Sequence, residues 1–209
     1  MASSTEEITH DAAGLHGDTH GHVTTTGISN EKLGMWAFLG SECLFFGSLI
    51  ATYLLYRGRS IQGPFPEDVY DIPYTSVSSF VLLMSSLTMV LALHAIQRGD
   101  HRRLRAWLLA TALLGITFVG GQVFEFTVFV REGLTLSRNL FGSSFFVLTG
   151  FHGAHVTMGI LMLLTLYGMS LTGRLPAERA LRVELVGLYW HFVDIVWIVI
   201  FTVVYLIPT

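Results

Sequence analysis

The sequence predicts an all-α integral membrane protein, and three observations support this. Hydrophobic residues occupy 52% of the 209 positions and charged residues only 13%, about half the charged share of soluble domains. Five apolar stretches are each long enough for the roughly 20 residues that a membrane-spanning helix needs. Spans of this length must be helical, because only a helix satisfies all its backbone polar groups within one segment.

The apolar stretches define a membrane domain over residues 33–207, with spans near 33–56, 77–97, 106–130, 141–171 and 183–207. Residues 1–32 form a polar N-terminal tail, and we expect it to be disordered because it has few large apolar residues. The tail carries a cluster of histidines at His10, His16, His20 and His22. Such a cluster can bind metal, but a solvated tail is the simpler interpretation.

The distribution of positive charge predicts the orientation of the chain. Eight basic residues fall on one side of the predicted spans: Lys32, Arg98, Arg102, Arg103, Arg105, Arg174, Arg179 and Arg182. The other side has Arg57, Arg59, Arg131 and Arg138. The positive-inside rule therefore places the N-terminus in the cytoplasm and the C-terminus outside.

Charge and cysteine content exclude several classes of function. The formal net charge of −3 gives no indication of nucleic-acid binding. The single cysteine, Cys43, excludes an internal disulfide framework and a cysteine-rich metal site. The acidic N-terminal segment has neither the basic start nor the apolar core of a secretory signal, so we expect none.

Ionisable side chains within lipid-length helices are functional candidates by default. The candidates here are Glu42, Glu125, His152, His155, His191 and Asp194. Glu42 lies nine residues past Leu33, which is roughly 13 Å into the membrane at 1.5 Å per residue. It is either a proton-exchanging carboxyl or a protonated acid hydrogen-bonded between helices.

Hydrogen bonding and metal binding are the roles considered for Glu125, His152 and His155. Glu125 is predicted to hydrogen-bond Gln122, one turn earlier, in a packing role. His152 and His155 lie three residues apart on one face, where they could ligate a metal or bond neighbouring helices.

His191 and Asp194 are also three residues apart, close enough on a helix for a hydrogen bond or ion pair. Such a pair is either a proton relay or ligand with its supporting carboxylate, or a buried contact that fixes the register between helices.

Two other classes of function stay open at this point. Glutamates on two helices, with histidines and an aspartate on two others, faintly resemble the ligand plan of di-iron bundles. That plan requires Glu-x-x-His twice, whereas this chain offers His-x-x-His and His-x-x-Asp. A small proton-coupled transporter is disfavoured because no inverted repeat or broken helix is apparent.

Four stretches together resemble subunit III of the haem-copper oxidases, the family that includes cytochrome c oxidases and quinol oxidases. They are MWAFLGSECLFF, GQVFEF, FFVLTGFHGAHVTMGI and YWHFVDIVWIVIFTVVYL. These stretches contain all six ionisable candidates, and the similarity covers the five spans in order, in the manner of the short bacterial form.

The resemblance implies a bundle in two groups of helices, separated by a cleft that holds phospholipid. It implies a subunit that flanks catalytic subunit I, assembles with subunit II and supports proton uptake and sustained oxygen reduction in aerobic respiration. No catalytic, cofactor-binding or metal-binding residue is implied on this chain, since haem and copper are carried by the partner subunits. The pair at His191 and Asp194 is then most simply scaffolding.

The resemblance also bears on the electron donor, which is reached only through other subunits. Family members that serve cytochrome c tend to have Ser-Glu in the first motif, as Ser41 and Glu42 do here. Some quinol oxidase relatives have Ser-Asp instead. The sequence therefore favours cytochrome c, with a quinol as the alternative, in a multi-pass protein of the bacterial cytoplasmic membrane.

Overall fold

Five long helices build the protein. A computed structural model describes residues 29–57, 59, 71–137 and 139–207. The helices are α1 (Asn30–Tyr56), α2 (Ile72–Gln97), α3 (His101–Arg131), α4 (Leu140–Leu171) and α5 (Ala180–Phe201). All five are long and apolar enough to cross a membrane, which confirms the predicted all-α class with five spanning helices.

Short helical turns flank α5. A 3₁₀ turn over Ala177–Arg179 precedes it, and a π-helical turn over Thr202–Leu206 continues it. The histidine-rich part of the predicted tail, residues 1–28, lies outside the described residues.

Polar capping residues explain why four helices begin before the apolar spans do. Ser29, Asp71, Asp100 and Asn139 each accept a hydrogen bond from a backbone N–H in the first turn of α1, α2, α3 and α4. Such caps satisfy donors that have no partner within the helix. Hydropathy alone does not detect these polar first turns, so the predicted spans start one to five residues late.

Helices α2 and α4 each end in a turn that contains a glycine. Gly99 has a φ of 71° and Gly173 a φ of 69°, a region that glycine adopts without the clash of a Cβ atom. After each, the next backbone N–H bonds back to the helix, from Asp100 to Ala95 and from Arg174 to Met169, both at 2.9 Å. This arrangement terminates α2 and α4 sharply.

The helices pack as one connected bundle. Helix α5 contacts α1, α2 and α4, while α4 contacts α1, α3 and α5. Helices α2 and α3 form a closely packed hairpin, and α1 packs on α4 and α5. These contacts do not divide the helices into two separate groups. The lipid-holding cleft therefore stays a prediction.

The core is organised around the indole of Trp190 on α5. A Cβ atom at Gly115 of α3 would lie 2.6 Å from the ring, and one at Gly159 of α4 would lie 2.7 Å from it. The indole Nε1 donates a hydrogen bond to Ser85 Oγ of α2 at 2.9 Å. Glycines at these two positions let the helices approach the ring closely.

We predict that Gly159→Ala destabilises the protein, because the added methyl group would overlap a rigid indole. Overpacking of this kind costs about 1–3 kcal/mol, so the thermal unfolding midpoint of the purified protein should fall. Gly40→Ala on α1 is the matched control, since a Cβ atom there meets nothing within 4 Å. Equal midpoints for the two variants would contradict the role of Gly159.

Candidate functional site

Glu42 of α1 and His155 of α4 form a partly buried polar contact near the middle of the membrane-spanning helices. The Nε2 atom of His155 lies 3.2 Å from Oε2 of Glu42. The Nδ1 atom of His155 lies 2.7 Å from the backbone oxygen of Phe151. A carbonyl oxygen only accepts, so Nδ1 carries a hydrogen and Nε2 shares one proton with the carboxyl of Glu42.

Aromatic residues enclose this pair on the side of the bundle. The ring of Phe46 packs edge-on against His155 with centroids 4.9 Å apart, and the Tyr189 hydroxyl donates to the His155 backbone oxygen at 3.0 Å. The side chains of His155 and Glu42 keep 19% and 17% of their surface exposed. The pair therefore lies just below the lateral surface of the bundle.

His152 lies one turn away and serves a different contact. Its side chain is fully buried, and its Nε2 donates to the backbone oxygen of Val193 on α5 at 3.3 Å. The imidazole packs against Trp197 and the edge of Phe118, with centroid distances of 4.8 and 5.9 Å. His152 and His155 thus bond different helices, and their imidazoles share no partner.

The direct contact predicted between His191 and Asp194 is wrong. The Nδ1 atom of His191 lies 2.6 Å from Oγ of Ser86 on α2. Neither carboxylate oxygen of the buried Asp194 forms a hydrogen bond with a described residue. The Ser86 hydroxyl nevertheless lies close to this carboxyl. The serine on the facing helix competes successfully for the imidazole, which spacing along α5 alone did not indicate.

Serines of α2 receive three polar side chains of α5. Besides the contacts of Trp190 and His191, Trp197 donates from Nε1 to Ser79 Oγ at 2.8 Å. Ser79, Ser85 and Ser86 were not among the predicted site residues. The sequence did contain a signal for them, because hydroxyl residues recur along this apolar span. A hydroxyl inside the membrane needs a hydrogen-bonding partner, which indicates a neighbouring helix with polar side chains. These contacts join α2 to α5 and have the character of a scaffold.

Glu125 is bound at the opposite end of α3 from the short α2–α3 turn. Its Oε1 accepts from the hydroxyls of Thr75 at 2.8 Å and Tyr205 at 3.2 Å. The predicted bond to Gln122 is not formed, because Gln122 Nε2 instead donates to the backbone oxygen of Thr149 at 2.7 Å. Glu125 therefore joins α3 to α2 and to the π-helical turn after α5.

Comparison with known proteins decides the family. A sequence model of the family described as cytochrome c oxidase subunit III matches residues 6–208. The chain belongs to this family. Similar proteins are named as subunit 3 of cytochrome c oxidases and as subunit 3 of quinol oxidases.

Three relatives of comparable similarity illustrate this. Cytochrome c oxidase subunit 3 of Bacillus sp. (strain PS3) is 40% identical over 85% of this chain and 86% of the relative. Cytochrome bo(3) ubiquinol oxidase subunit 3 of Pseudomonas aeruginosa is 40% identical over 91% and 90%. Quinol oxidase subunit 3 of Bacillus subtilis (strain 168) is 40% identical over 83% and 85%. Sequence identity to this chain therefore does not distinguish relatives named for cytochrome c oxidases from relatives named for quinol oxidases.

We predict that Glu42→Gln keeps the contact with His155, because an amide N–H can donate to Nε2 of the imidazole. Glu42→Leu removes that contact and leaves the partly buried Nε2 without it, which should cost about 1–3 kcal/mol. The thermal unfolding midpoint of the purified protein should therefore fall more for Leu than for Gln. Equal midpoints for the two variants would contradict a stabilising contact between Glu42 and His155.

We predict that Glu125 tolerates an amide but not an apolar residue. Glu125→Gln keeps an oxygen that can accept from Thr75 and Tyr205, so the unfolding midpoint should stay near that of the wild type. Glu125→Leu removes the acceptor that these two hydroxyls share, and each hydrogen bond lost should cost about 0.5–1.5 kcal/mol; the Thr75 hydroxyl keeps the Asp71 backbone oxygen as a second acceptor. If Gln destabilises as strongly as Leu, the carboxyl has a role beyond accepting these two bonds.

Proposed function

We propose that this chain is a subunit III without a redox centre, which flanks the catalytic subunit of a haem-copper oxidase and sustains its proton uptake during oxygen reduction. The observation that carries this proposal is the contact between the Glu42 carboxyl and the His155 imidazole at the edge of the bundle. Nδ1 of His155 donates to the Phe151 backbone oxygen, so Nε2 is the ring atom that faces the carboxyl.

The proposed partners are catalytic subunit I and subunit II, on which haem and copper would reside. The contacts of the candidate residues support this assignment over a free-standing metalloenzyme. Glu42 is bound to His155, whereas Glu125 is bound to Thr75 and Tyr205. Among the described residues, no three histidine, cysteine or carboxylate side chains gather in a potential metal site.

Phospholipid is the other proposed ligand. An apolar groove runs between α1 and α4, lined among others by Leu49, Tyr56, Leu140 and Val147. Its lining suits an acyl chain better than a polar solute, because the hydroxyls of Thr52 and Ser144 there are bonded to backbone oxygens of their own helices. Lipid analysis of the purified complex, with and without Leu49→Trp in the groove, tests this assignment.

Cytochrome c is the donor we propose, and Ser41–Glu42 in the first motif supports it. A quinol remains the second candidate, because relatives named as quinol oxidase subunits are equally similar. Donor binding would occur on other subunits. A copper-containing partner that docks cytochrome c would support the first donor, and a quinol-reactive partner would support the second.

We also propose that the N-terminus is cytoplasmic and the C-terminus external in the bacterial membrane. The excess of basic residues at the α2–α3 and α4–α5 turns supports this direction. Cysteine-accessibility labelling of exposed Arg102→Cys and Arg59→Cys variants in intact cells distinguishes the two orientations, with labelling expected only at residue 59.

The first experiment is a mild-detergent purification through this chain, followed by an optical spectrum and identification of co-purifying subunits. Stoichiometric haem together with two or more larger partners would support the proposal. A solitary, colourless chain without partners would contradict it, and iron bound to the isolated chain would favour a metalloenzyme.

We predict that an oxidase lacking this subunit starts at a nearly normal rate of oxygen consumption but loses activity during turnover. The reason is that the redox centres are assigned to other subunits, while this chain sustains proton uptake and lipid contact. Oxygen-electrode traces at matched haem concentration measure both quantities. Undiminished endurance without the subunit would contradict the proposed role.

A further inference from the structure

The end of the bundle where α1 begins is strongly basic. The α2–α3 turn, the α4–α5 turn and the start of α1 meet there, since Arg105 bonds Ser170 across α3 and α4 and Lys32 pairs with Glu184 across α1 and α5. The basic side chains at this end are Lys32, Arg98, Arg102, Arg103, Arg105, Arg174, Arg179 and Arg182. The acidic ones are Glu31, Asp100, Glu178 and Glu184.

Most of this positive charge is not neutralised within the bundle. Lys32 pairs with Glu184 at 2.6 Å and Arg103 with Asp100 at 3.3 Å. Five arginines are exposed and form no ion pair with another described residue: Arg98, Arg102, Arg174, Arg179 and Arg182. We call these five arginines the basic end. The basic end attracts an anionic group of some kind, because several uncompensated charges on one face repel one another.

The sequence supplies a complementary anion at the same place. Residues 1–28 contain Glu6, Glu7, Asp11 and Asp18 but neither lysine nor arginine, so all 12 basic residues of the chain lie beyond them. This segment leads directly into Ser29, whose side chain caps the first turn of α1. The Lys32–Glu184 pair fixes that turn beside the start of α5, so the acidic segment joins the bundle at the basic end.

We propose that residues 1–28 dock on the basic end of their own chain, with their carboxylates paired to its arginines. Twenty-eight residues can extend to about 90 Å, whereas packed helices lie only about 8–10 Å apart, so every arginine is within reach. Tethering gives such a segment an effective concentration in the millimolar range. The docked segment excludes anionic lipid headgroups and partner subunits from these arginines. Such docking requires neither a particular direction of insertion nor the proposed function.

Photo-crosslinking in the assembled oxidase tests this docking. A photoreactive benzoyl-phenylalanine in place of Ala12, between Asp11 and Asp18, reports what the segment touches. Mass spectrometry should find crosslinks to residues 97–105 and 173–182 of the same chain at 0.01 M salt. Their yield should fall at least about threefold at 1 M salt, because the screening length drops from about 30 Å to about 3 Å.

Matched variants separate charge from simple proximity. Neutralising the segment with Glu6→Gln, Glu7→Gln, Asp11→Asn and Asp18→Asn should cause the same loss of crosslinks. Neutralising Arg98, Arg102 and Arg182 to Gln should do so too. Arg59→Gln with Arg131→Gln, both exposed at the opposite end, should leave the yield unchanged.

Three outcomes would overturn the proposal. Crosslinks that persist in the neutralised segment would show that charge does not drive the contact. Crosslinks to partner subunits alone would make the segment an intersubunit element. Loss of the contact when one third of a phosphatidylcholine nanodisc is replaced by phosphatidylglycerol would assign the basic end to lipid headgroups.

Discussion

The indole of Trp190 is the contact on which the arrangement of this bundle depends. One side chain of α5 donates to Ser85 on α2 and fills the space left by Gly115 on α3 and Gly159 on α4. Four of the five helices therefore meet at one rigid ring. In lipid there is little hydrophobic drive for helices to associate, so close packing and interhelical hydrogen bonds must supply the specificity. A flat, inflexible ring held by one directed bond fixes both the spacing and the rotation of the helices around it.

The same constraint separates the polar residues of the bundle into two kinds. Ser79, Ser86 and Glu125 satisfy partners on other helices at fixed geometry, and each could be replaced in principle by another group of the same hydrogen-bonding type. The Glu42–His155 contact differs because one proton must lie between two titratable groups. It is also less deeply buried than the contacts of Trp190 and Trp197. Scaffold contacts lie inside the bundle, and the Glu42–His155 contact lies at its edge.

The sequence predicted the helices well because hydropathy and span length are local properties, and the bilayer fixes both. All six candidate residues lie inside these helices, but their partners were mostly missed. Glu42 and His155 are 113 positions apart, and which helices are neighbours is not a local property. The two errors have a common cause: Gln122 and Asp194 were each assigned a partner one turn away on the same helix. The structure shows that Gln122 and His191 instead bond to facing helices, at Thr149 and Ser86.

Helix α1 has the fewest buried residues and shows how scaffold and proton site are combined. Three polar contacts hold it along its length: Lys32 to Glu184 at one end, Glu42 to His155 in the middle, and Arg57 to the backbone oxygens of Val203 and Ile207 at the other end. The two terminal contacts lie near the ends of the span, where water or headgroups can replace a lost partner. The middle contact has no such substitute, although the rings of Phe45 and Phe46 pack beside it on Phe151 and His155 of α4. An isosteric amide and an apolar residue at position 42 therefore test different properties. The amide removes the carboxyl and keeps a hydrogen bond to His155, whereas the apolar residue removes both.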